Sequence, residues 1–404
     1  MTEQSDILRT FISAHRNDDV RKLALQASKH RDIDMNYAVA QIAGWQRAKE
    51  KLPRWAATEG IEYPLHLPLE QCSSQLTAEY KRDAIRAFSS ENDCPTDTYA
   101  DLTAGFGVDF CTIAPLFCQA EYVERQEALC RIAENNFPLL GTTNAKVICA
   151  DGIEVLRNLP HHDWLFLDPA RRDNNGGKVV ALADCEPNVI ELEESLNGKA
   201  TFTMLKLSPM LDISLALRQL RSVRAIHVVS VDNECKELLL IIGSQSSAPL
   251  SITCSNISHG TTETLHFTAD EENGTKCIIT DEMGKNGFLY EPNTAVLKGG
   301  ASAVLTKRFG VGKLHPNSNL YFSDELVEEF PGRKFRIGFV CGFGKKEIKE
   351  HIAPLAKANL TVRNFPSSVA ELRKKLKLRE GGDTYIFATT LANGSHALIG
   401  CTKA

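Results

Sequence analysis

The sequence predicts an α/β protein built on a doubly wound parallel sheet. Short apolar strands alternate with helices across residues 97–245, which is the pattern of a parallel sheet covered by helices. A glycine-rich turn follows the first of these strands, over residues 101–109. Acidic residues follow the ends of three further strands. Because the carboxyl ends of parallel strands meet at one edge of a sheet, this edge is the expected ligand site.

The first turn reads Asp-Leu-Thr-Ala-Gly-Phe-Gly-Val-Asp, and it joins a strand that ends at Thr103 to a helix over residues 110–117. Gly105 and Gly107 let the backbone bend sharply and approach a ligand, and the helix N-terminus offers unpaired N–H groups. A dinucleotide fingerprint needs a small residue where Phe110 stands, and the Gly-Lys-Ser/Thr of a P-loop is absent. The turn therefore predicts another kind of nucleotide cofactor, with an ordinary β–α turn as the alternative.

Carboxylates at the strand ends favour a cationic cofactor that contains a nucleoside. Asp101 and Asp109 bracket the turn and suit the sulfonium and ammonium groups of S-adenosylmethionine better than a pyrophosphate. Glu124 ends the second strand, where an acid can accept hydrogen bonds from ribose hydroxyls. Asp151 ends the third strand, where it could accept one from an adenine amino group, and Asp168 ends the fourth.

These motifs resemble those of class I S-adenosylmethionine-dependent methyltransferases. The resemblance implies a Rossmann-like methyltransferase sheet with S-adenosyl-L-methionine as cofactor. The residues before the first strand predict a helix from about Leu76 to Phe88 with Ser73 or Ser74 as its cap. The resemblance implies that this helix lies over the cofactor. The cofactor-binding residues that it implies are Gln75, Thr77, Asp101, Thr103, Ala104, Gly105, Gly107, Asp109, Glu124, Arg125, Asp151, Gly152 and Asp168.

The whole chain resembles more closely an uncharacterised bacterial family that joins such a sheet to a ferredoxin-like segment and a THUMP-like domain. The motifs that carry this resemblance are residues 73–81, 205–212, 290–293, 313–317, 363–366 and 381–383. The predicted domains are a helical N-terminal region (1–90), a cofactor-binding methyltransferase domain (91–247), a small α+β ferredoxin-like segment (248–330) and a mixed α/β THUMP-like domain (331–404). Residues 295–309 are predicted to form one short helix.

The candidate catalytic residues lie at the ends of the fourth strand and the next one: Asp168, Pro169, Arg171 and Lys206. Asp168 either accepts a proton from the methyl acceptor or only fixes its loop. Amino-group methyltransferases of nucleic acids carry an aromatic residue in this motif, and its absence from Asp-Pro-Ala-Arg argues against base-amino methylation. Arg171 and Arg172 suit a substrate phosphate or base, or they pair with a nearby aspartate. Cys235 is interpreted as a bystander thiol and His315 as a structural residue.

The charge distribution indicates a polyanionic partner. The net charge is −5, but residues 331–404 contain 14 Lys or Arg against 5 Asp or Glu. A basic terminal domain on an acidic body favours structured RNA, the partner that the THUMP-like resemblance also implies. The alternative is a solvated basic helix face over residues 373–379.

Cysteine usage and hydropathy indicate the cellular compartment and whether a metal or a membrane is expected. Twelve cysteines are scattered without a Cys-x-x-Cys pair, which favours the reducing cytoplasm over a disulfide scaffold. No His/Cys cluster has zinc spacing, so no metal is expected. No apolar run approaches the roughly 18 residues of a membrane span, so no membrane contact is expected.

Three functions are compatible with these patterns. The first is an S-adenosylmethionine-dependent RNA methyltransferase. The second is a non-catalytic RNA-binding protein that keeps the methyltransferase fold, which the missing aromatic residue favours. The third is a methyltransferase for a protein or small molecule, which the basic terminal domain disfavours.

Overall fold

A computed structural model describes residues 3–30, 32–64, 68–171, 182–244, 248–280, 283–284 and 286–404 of the chain. The chain divides into two compact units. The first unit contains Met1–Arg224 and Glu237–Ser246, and the second contains Ala225–Lys236 and Ser247–Ala404. No helix in the described part of the chain is both long enough and apolar enough to cross a membrane.

The chain begins with helices, as the sequence predicts. They are α1 (Glu3–Ala14), α2 (Val20–Leu25), α3 (Met35–Lys51), α4 (Pro53–Ala57), α5 (Pro68–Gln71) and α6 (Gln75–Glu91). Pro53 occupies the first turn of α4, where a residue without an N–H group is tolerated, so it ends α3 and opens α4. Ser74 caps α6 by accepting a hydrogen bond from the N–H of Thr77.

The alternating part of the chain follows α6. Its elements are β1 (Thr98–Asp101), α7 (Val108–Ile113), β2 (Gln119–Glu124), α8 (Glu127–Leu139), β3 (Ala145–Cys149), α9 (Gly152–Asn158), β4 (His162–Leu167), β5 (Ala170–Arg171), β6 (Cys185–Glu186), α10 (Val189–Lys199), β7 (Ala200–Leu207), α11 (Ile213–Gln219), β8 (Val223–Val231) and β9 (Glu234–Gly243). The strands that the sequence predicts in this segment are all present.

Within the described part of the first unit, the sheet has the strand order β9-β7-β4-β1-β2-β3. β1 to β4 and β7 pair in parallel, and β9 pairs with β7 in antiparallel fashion. The chain builds outward from β1 to β3 and then restarts at β4 on the other side of β1. The strand order therefore reverses between β1 and β4, which is where ligands bind in open α/β sheets. The predicted α/β class is confirmed.

Aromatic side chains fix the helices on one face of this sheet. Tyr99 of β1 stacks on Phe110 of α7, and Tyr122 of β2 packs edge-on against both Phe110 and Phe137 of α8. All four rings are fully or almost fully buried. This packing sets the position of α7 relative to the ends of β1 and β2.

The second unit holds β10 (Ser251–Ser258), β11 (Thr261–Thr268), α12 (Ala269–Gly274), β12 (Phe288–Pro292), α13 (Thr294–Gly299), α14 (Ser302–Phe309), β13 (Gly312–His315), β14 (Ser318–Ser323), β15 (Gly332–Cys341), α15 (Lys345–Glu347), β16 (Asn359–Arg363), α16 (Val369–Leu376), β17 (Tyr385–Thr390) and β18 (His396–Lys403). The prediction of one helix over residues 295–309 is wrong, because Gly300 adopts a left-handed conformation (φ +79°) that ends α13 before α14 begins. β10 pairs in parallel with β8 and in antiparallel fashion with β11.

The other sheet of the second unit is rolled up. Among the described residues its strand order is β13-β14-β12-β15-β18-β17-β16. A flat sheet would hold β14 and β17 about 19 Å apart at the usual strand spacing. Instead, the hydroxyls of Ser318 on β14 and Thr389 on β17 form a buried hydrogen bond of 2.9 Å. The two ends of the sheet therefore approach each other along a line that we call the seam.

Candidate functional site

The turn after β1 is packed on one side and open on the other. Gly107 has a φ of +85°, and a Cβ there would lie 2.8 Å from the ring of Phe137. Gly105 has a φ of +54°, and a Cβ there would have only open space and the carbonyl of Thr103, 3.9 Å away, in front of it. The hydroxyl of Tyr122 donates to the carbonyl of Gly105 (2.5 Å). Ala104 is tied to β2, since its N–H donates to the carbonyl of Val123. The turn is thus a fixed backbone cradle with one free face.

Two carboxylates from neighbouring strand ends lie beside this cradle. Glu124 is buried, and it accepts hydrogen bonds from the N–H groups of Gly105 (3.1 Å) and Gln126 (2.8 Å). Asp151 caps α9 through Oδ1, and no hydrogen bond to its Oδ2 is found among the described residues. A Cβ at Gly152 would lie 2.0 Å from the carbonyl oxygen of Leu102, so the first residue of α9 packs closely against the residue that follows β1.

A chain of short contacts joins the ends of β1, β4 and β7. The N–H of Thr103 donates to Asp101 (3.0 Å), and the N–H of Asp168 donates to the hydroxyl of Thr103 (2.6 Å). The ammonium of Lys206, at the end of β7, donates to Oδ2 of Asp168 (2.5 Å). Pro169 is buried directly after Asp168. The structure thus brings together Asp101, Thr103, Asp168 and Lys206, four of the candidate site residues.

A buried ion network lies behind this chain. The ammonium of Lys81, which is fully buried, donates to Glu237 (2.5 Å) and lies 3.1 Å from Asp109. Ser73 accepts a hydrogen bond from Lys81 (3.0 Å) and donates to Asp109 (2.7 Å). Lys206 lies 3.9 Å from the same carboxylate of Asp109. The network therefore connects α6, α7, β7 and β9.

Three members of this network were not predicted as site residues: Ser73, Lys81 and Glu237. Lys81 carries a signal in the sequence, since it falls within the buried stripe of α6 between Ala78 and Ile85, where a charge needs a partner. Ser73 carries no such signal. Glu237 precedes an apolar strand and resembles an ordinary surface residue in the sequence.

The acids of the site differ in pKa. Burial raises the pKa of Asp101 well above its ordinary value, and it also raises the pKa of Asp168, against the opposing charge of Lys206. Burial would raise the pKa of Asp109 too, but the charges of Lys81 and Lys206 hold it below its ordinary value. Burial opposes the charge of Lys206, yet Asp168 and Asp109 raise its pKa above the usual range. Lys206 thus stays charged, and among the acids with a resolved shift protons bind most readily at Asp101 and Asp168.

Of the other predicted site residues, Gln75 and Thr77 form hydrogen bonds with nearby residues of the N-terminal helices. The side chain of Gln75 accepts from the N–H of Arg54 (2.9 Å) and donates to Glu79 (2.9 Å). The buried Thr77 donates its hydroxyl to the carbonyl of Ser74 (3.2 Å). Arg125 is exposed. The backbone of Arg171 lies in β5, whereas its side chain and the whole of Arg172 lie outside the described residues.

Two further features bear on metal binding and on thiol chemistry. Among the residues that the structure describes, no group of three or more His, Cys, Asp or Glu is arranged to hold a metal ion. Cys235 is half-buried in the second unit, and burial raises the pKa of its thiol. A raised pKa disfavours the thiolate that a nucleophile requires.

The chain is similar over almost its full length to a protein from Porphyromonas gingivalis W83 whose crystal structure bears the name "putative methyltransferase". The two chains are 32% identical, the match covers 98% of each, and the TM-score is 0.85. Residues 288–331 match the model of a ferredoxin-like domain family, and residues 332–403 match that of a THUMP domain-like family. The predicted fold class, with a methyltransferase sheet and these two domains, is confirmed.

Other solved structures are similar only in part. A "putative methyltransferase" from Escherichia coli is 18% identical, with 41% of this chain and 86% of that chain covered and a TM-score of 0.29. A "putative RNA methyltransferase" from Pyrococcus horikoshii is 15% identical, with 49% and 96% covered and a TM-score of 0.33. Similarity at this level carries no argument about activity. No curated protein matches the chain.

Proposed function

The chain belongs to the methyltransferase family that joins a ferredoxin-like domain to a C-terminal THUMP-like domain, and from that premise we propose that it transfers a methyl group from S-adenosylmethionine to structured RNA. The observation that carries the cofactor part of this proposal is the carboxyl-rich, open edge of the sheet where β1 and β4 end. The RNA part rests on the basic THUMP-like domain.

The charges at this edge suit a cationic cofactor. Four carboxyl groups, those of Asp101, Asp109, Asp168 and Glu237, lie around two ammonium groups, those of Lys81 and Lys206. The excess acid is accommodated by raised pKa values at Asp101 and Asp168, which a positively charged ligand would lower. The open face of Gly105 leaves room for such a ligand beside the turn.

Glu124 and Asp151 would hold the nucleoside part of the cofactor. Glu124 stands beside Gly105 on the second strand end, where a carboxylate can accept from ribose hydroxyls. Asp151 has Oδ2 available for an adenine amino group. When bound, S-adenosylmethionine supplies a methyl group activated by its sulfonium.

Asp168 would act on the methyl acceptor. Its side chain is 38% exposed, while that of Lys206 is 11% exposed, so the carboxylate faces outward and the ammonium stands behind it. Lys206 holds Oδ2, which leaves Oδ1 to orient the acceptor and to take its proton. Partial burial raises the pKa of Asp168 and makes it a stronger base than an ordinary aspartate.

A non-catalytic RNA-binding role is the second candidate, and one observation favours it. Arg171, whose backbone lies in β5, stands where nucleic-acid amino methyltransferases carry an aromatic residue that stacks on the target base. The proposed target is therefore an RNA atom other than a base amino group.

The parts of the chain receive separate roles in this proposal. Residues 91–247 carry the cofactor and the reaction, residues 1–90 supply the helix that covers the turn, and residues 248–330 form the ferredoxin-like connection. Residues 331–404 bind RNA. We assign the protein to the cytoplasm, because all twelve of its cysteines are free thiols, as a reducing compartment keeps them.

Calorimetric titration of the full chain with S-adenosylmethionine tests the cofactor. We expect micromolar binding, weakened about tenfold or more in Glu124→Gln, because the ribose hydroxyls lose a charged acceptor. Glu127→Gln makes the same change of charge at an exposed position three residues away and should leave the affinity unchanged. Failure of the folded wild-type chain to bind the cofactor would contradict the proposal.

Methyl transfer to unmodified RNA tests the reaction. Transcripts of tRNA and ribosomal RNA made in vitro lack all modifications and can be incubated with cofactor that carries a labelled methyl group. We expect the label to enter RNA. Cofactor binding and RNA binding without transfer would instead favour the non-catalytic role.

A further inference from the structure

Three motifs that the methyltransferase site does not use come together at the seam of the rolled sheet. They are residues 290–293 at the end of β12, 313–317 at the end of β13 and 363–366 at the end of β16. The side-chain amide of Asn364 bonds to His315 (3.0 Å), and Arg363 pairs with Glu291 (2.7 Å). Segments that lie far apart in the sequence therefore form one group at the place where the two ends of the sheet meet.

Glu291 holds two arginines at this place. Its side chain is only 4% exposed, and its two oxygens face Arg363 on β16 and Arg333 on β15. Arg333 donates to Glu291 through Nε (2.8 Å) and through a second nitrogen. The side chains of Arg333 and Arg363 remain 41% and 40% exposed. We call these three residues the arginine clamp.

The clamp carries more positive charge than its buried acid needs. One guanidinium is enough to neutralise Glu291, so the second leaves an excess of one positive charge. Arg363 also donates to the carbonyl of Val362 (3.0 Å). Each guanidinium has five N–H donors, so others remain available on both side chains. Because Glu291 accepts a hydrogen bond from Arg333 and forms an ion pair with Arg363, the binding of an anion to these arginines costs less side-chain conformational entropy than it would with unpaired arginines. Guanidinium groups held in this way match the oxygens of a phosphate.

His315 adds a neutral donor to the same place. Its Nδ1 accepts from the backbone N–H of Asn317 (2.9 Å) and faces the amide of Asn364. A backbone N–H can only donate, so the ring proton resides on Nε2. The ring is half-buried. His315, the last residue of β13, is thus oriented by two neighbours.

Aromatic rings lie next along the chain. Phe365 follows Asn364 and stacks on Phe343 with ring centroids 5.3 Å apart. The ammonium of Lys375 lies 5.5 Å from the Phe343 ring. Both rings are only half-buried, and rings beside cations provide stacking surfaces for nucleobases.

We propose that the seam binds the phosphodiester backbone of RNA, with Arg333 and Arg363 as the phosphate contacts and His315 as an additional donor. This inference rests on the proposed function, since it names the surface through which the THUMP-like domain would hold the substrate. RNA is favoured over an acidic peptide by the half-exposed aromatic pair beside the clamp, which suits bases and offers nothing to carboxylates.

Binding of labelled, unfractionated tRNA to the full chain, measured by fluorescence anisotropy over a series of salt concentrations, tests the clamp. We expect the Arg333→Gln/Arg363→Gln variant to bind about tenfold more weakly, with the slope of log affinity against log salt reduced by about one to two. Lys349→Gln/Lys374→Gln removes the same charge from exposed positions of the same domain and should weaken binding less than about threefold. Equal losses in both variants would overturn the proposal.

Two further variants separate position from charge. Glu291→Gln makes the chain more positive but releases both guanidiniums, so the clamp predicts weaker binding, whereas an effect of net charge alone predicts tighter binding. Arg333→Lys/Arg363→Lys keeps the charge and loses the planar fork, so it should also bind more weakly. Thermal unfolding checks that each variant is folded. If Arg333→Gln/Arg363→Gln does not fold, the comparison of wild type with Arg333→Lys/Arg363→Lys decides the question.

The outcomes distinguish this inference from the proposed function. If the chain methylates RNA while the clamp variants bind tRNA normally, the clamp is wrong and the function stands. If the wild-type chain binds neither tRNA nor ribosomal RNA, the clamp and the RNA substrate are both wrong, and the cofactor titration still decides the methyltransferase. Displacement of tRNA by polyglutamate at equal charge concentration would show an acidic-peptide site and overturn the assignment to RNA.

Discussion

The two units of the chain hold charged side chains in opposite ways. In the first unit, Lys81 is fully buried and Lys206 nearly so, and acids on neighbouring elements surround both. In the second unit, Arg333 and Arg363 are bound to one buried acid but keep about two-fifths of their surface exposed. Charges that are neutralised inside the protein can position elements and a small ligand. Charges fixed at the surface are available to a large anion.

The largest effect should come from breaking the buried network. Lys81→Met leaves Glu237 and Asp109 without their nearest positive charge in a site closed to solvent. Losing one partner of a buried ion pair costs about 3–5 kcal/mol. We expect a loss of this size in the free energy of unfolding, measured in urea.

An exposed ion pair provides the control for this experiment. Lys146 bonds to Glu121 (2.8 Å), but its side chain is 69% exposed, so Lys146→Met should cost about 1 kcal/mol or less. Lys81→Met combined with Glu237→Gln should lose less than the sum of the two single variants, since each removes the other's partner. A loss below about 1 kcal/mol in Lys81→Met would show that the network does not fix α6.

The position of this network could not be predicted from the sequence. Lys81 and Glu237 are separated by 156 residues, and the strand periodicity around Glu237 gives no information about which helix covers it. The strand ends, in contrast, follow from local pattern. Asp101, Glu124 and Asp168 stand at or directly after the last residue of β1, β2 and β4, because apolar runs define strands and polar residues end them.

A second effect concerns the reaction. Asp168→Asn keeps the size of the side chain and removes its basicity, so methyl transfer should fall by about 100-fold or more. The affinity for the cofactor, measured by calorimetry, should fall by no more than about tenfold, because Asp168 is only one of the acids near the proposed cofactor site. A large loss of rate with a small loss of affinity would show that Asp168 acts on the methyl acceptor.

Asp212→Asn is the matched control for Asp168→Asn. Asp212 caps α11 by accepting from the N–H of Leu215 (2.8 Å), and asparagine caps a helix equally well. We therefore expect unchanged activity in this variant. Normal methyl transfer by Asp168→Asn would remove Asp168 from the proton transfer and leave it the role of fixing its loop.

The seam shows a different limit of sequence reasoning. The motifs at Glu291, His315 and Arg363 were recognised only as marks of resemblance, since each lies on a separate strand and none has a chemical partner nearby in the chain. Their meeting depends on the rolling of the sheet, which includes β18, a strand that the sequence analysis did not identify. The rolled shape is a property of the whole sheet, so it cannot be predicted from any short segment of the sequence.

The smallest predicted effect is a difference between the two units in how their stability depends on pH. His227 on β8, Thr253 on β10 and His266 on β11 are cross-strand neighbours in the second unit. Burial, reinforced by the charge of His266, lowers the pKa of His227 from 6.5 to about 4. The unfolded chain therefore binds a proton near pH 6.5 that the folded chain binds only near pH 4. Stability should fall through this window as the pH falls.

We expect a loss of about 1–3 kcal/mol in the free energy of unfolding of the second unit between neutral pH and the acid end of this window. His227→Gln should reduce this loss, whereas replacement of the exposed His161 should not. The first unit has the same sign but a lower pH range, because the lowered pKa of Asp109 contributes stability that is lost only as the pH falls below the ordinary range of an aspartate. Hydrogen exchange followed at each pH would therefore show acid opening in β8, β10 and β11 before β1, β4 and β7. Opening in the reverse order would mean that the buried ion network, and not His227, limits the stability of the chain in acid.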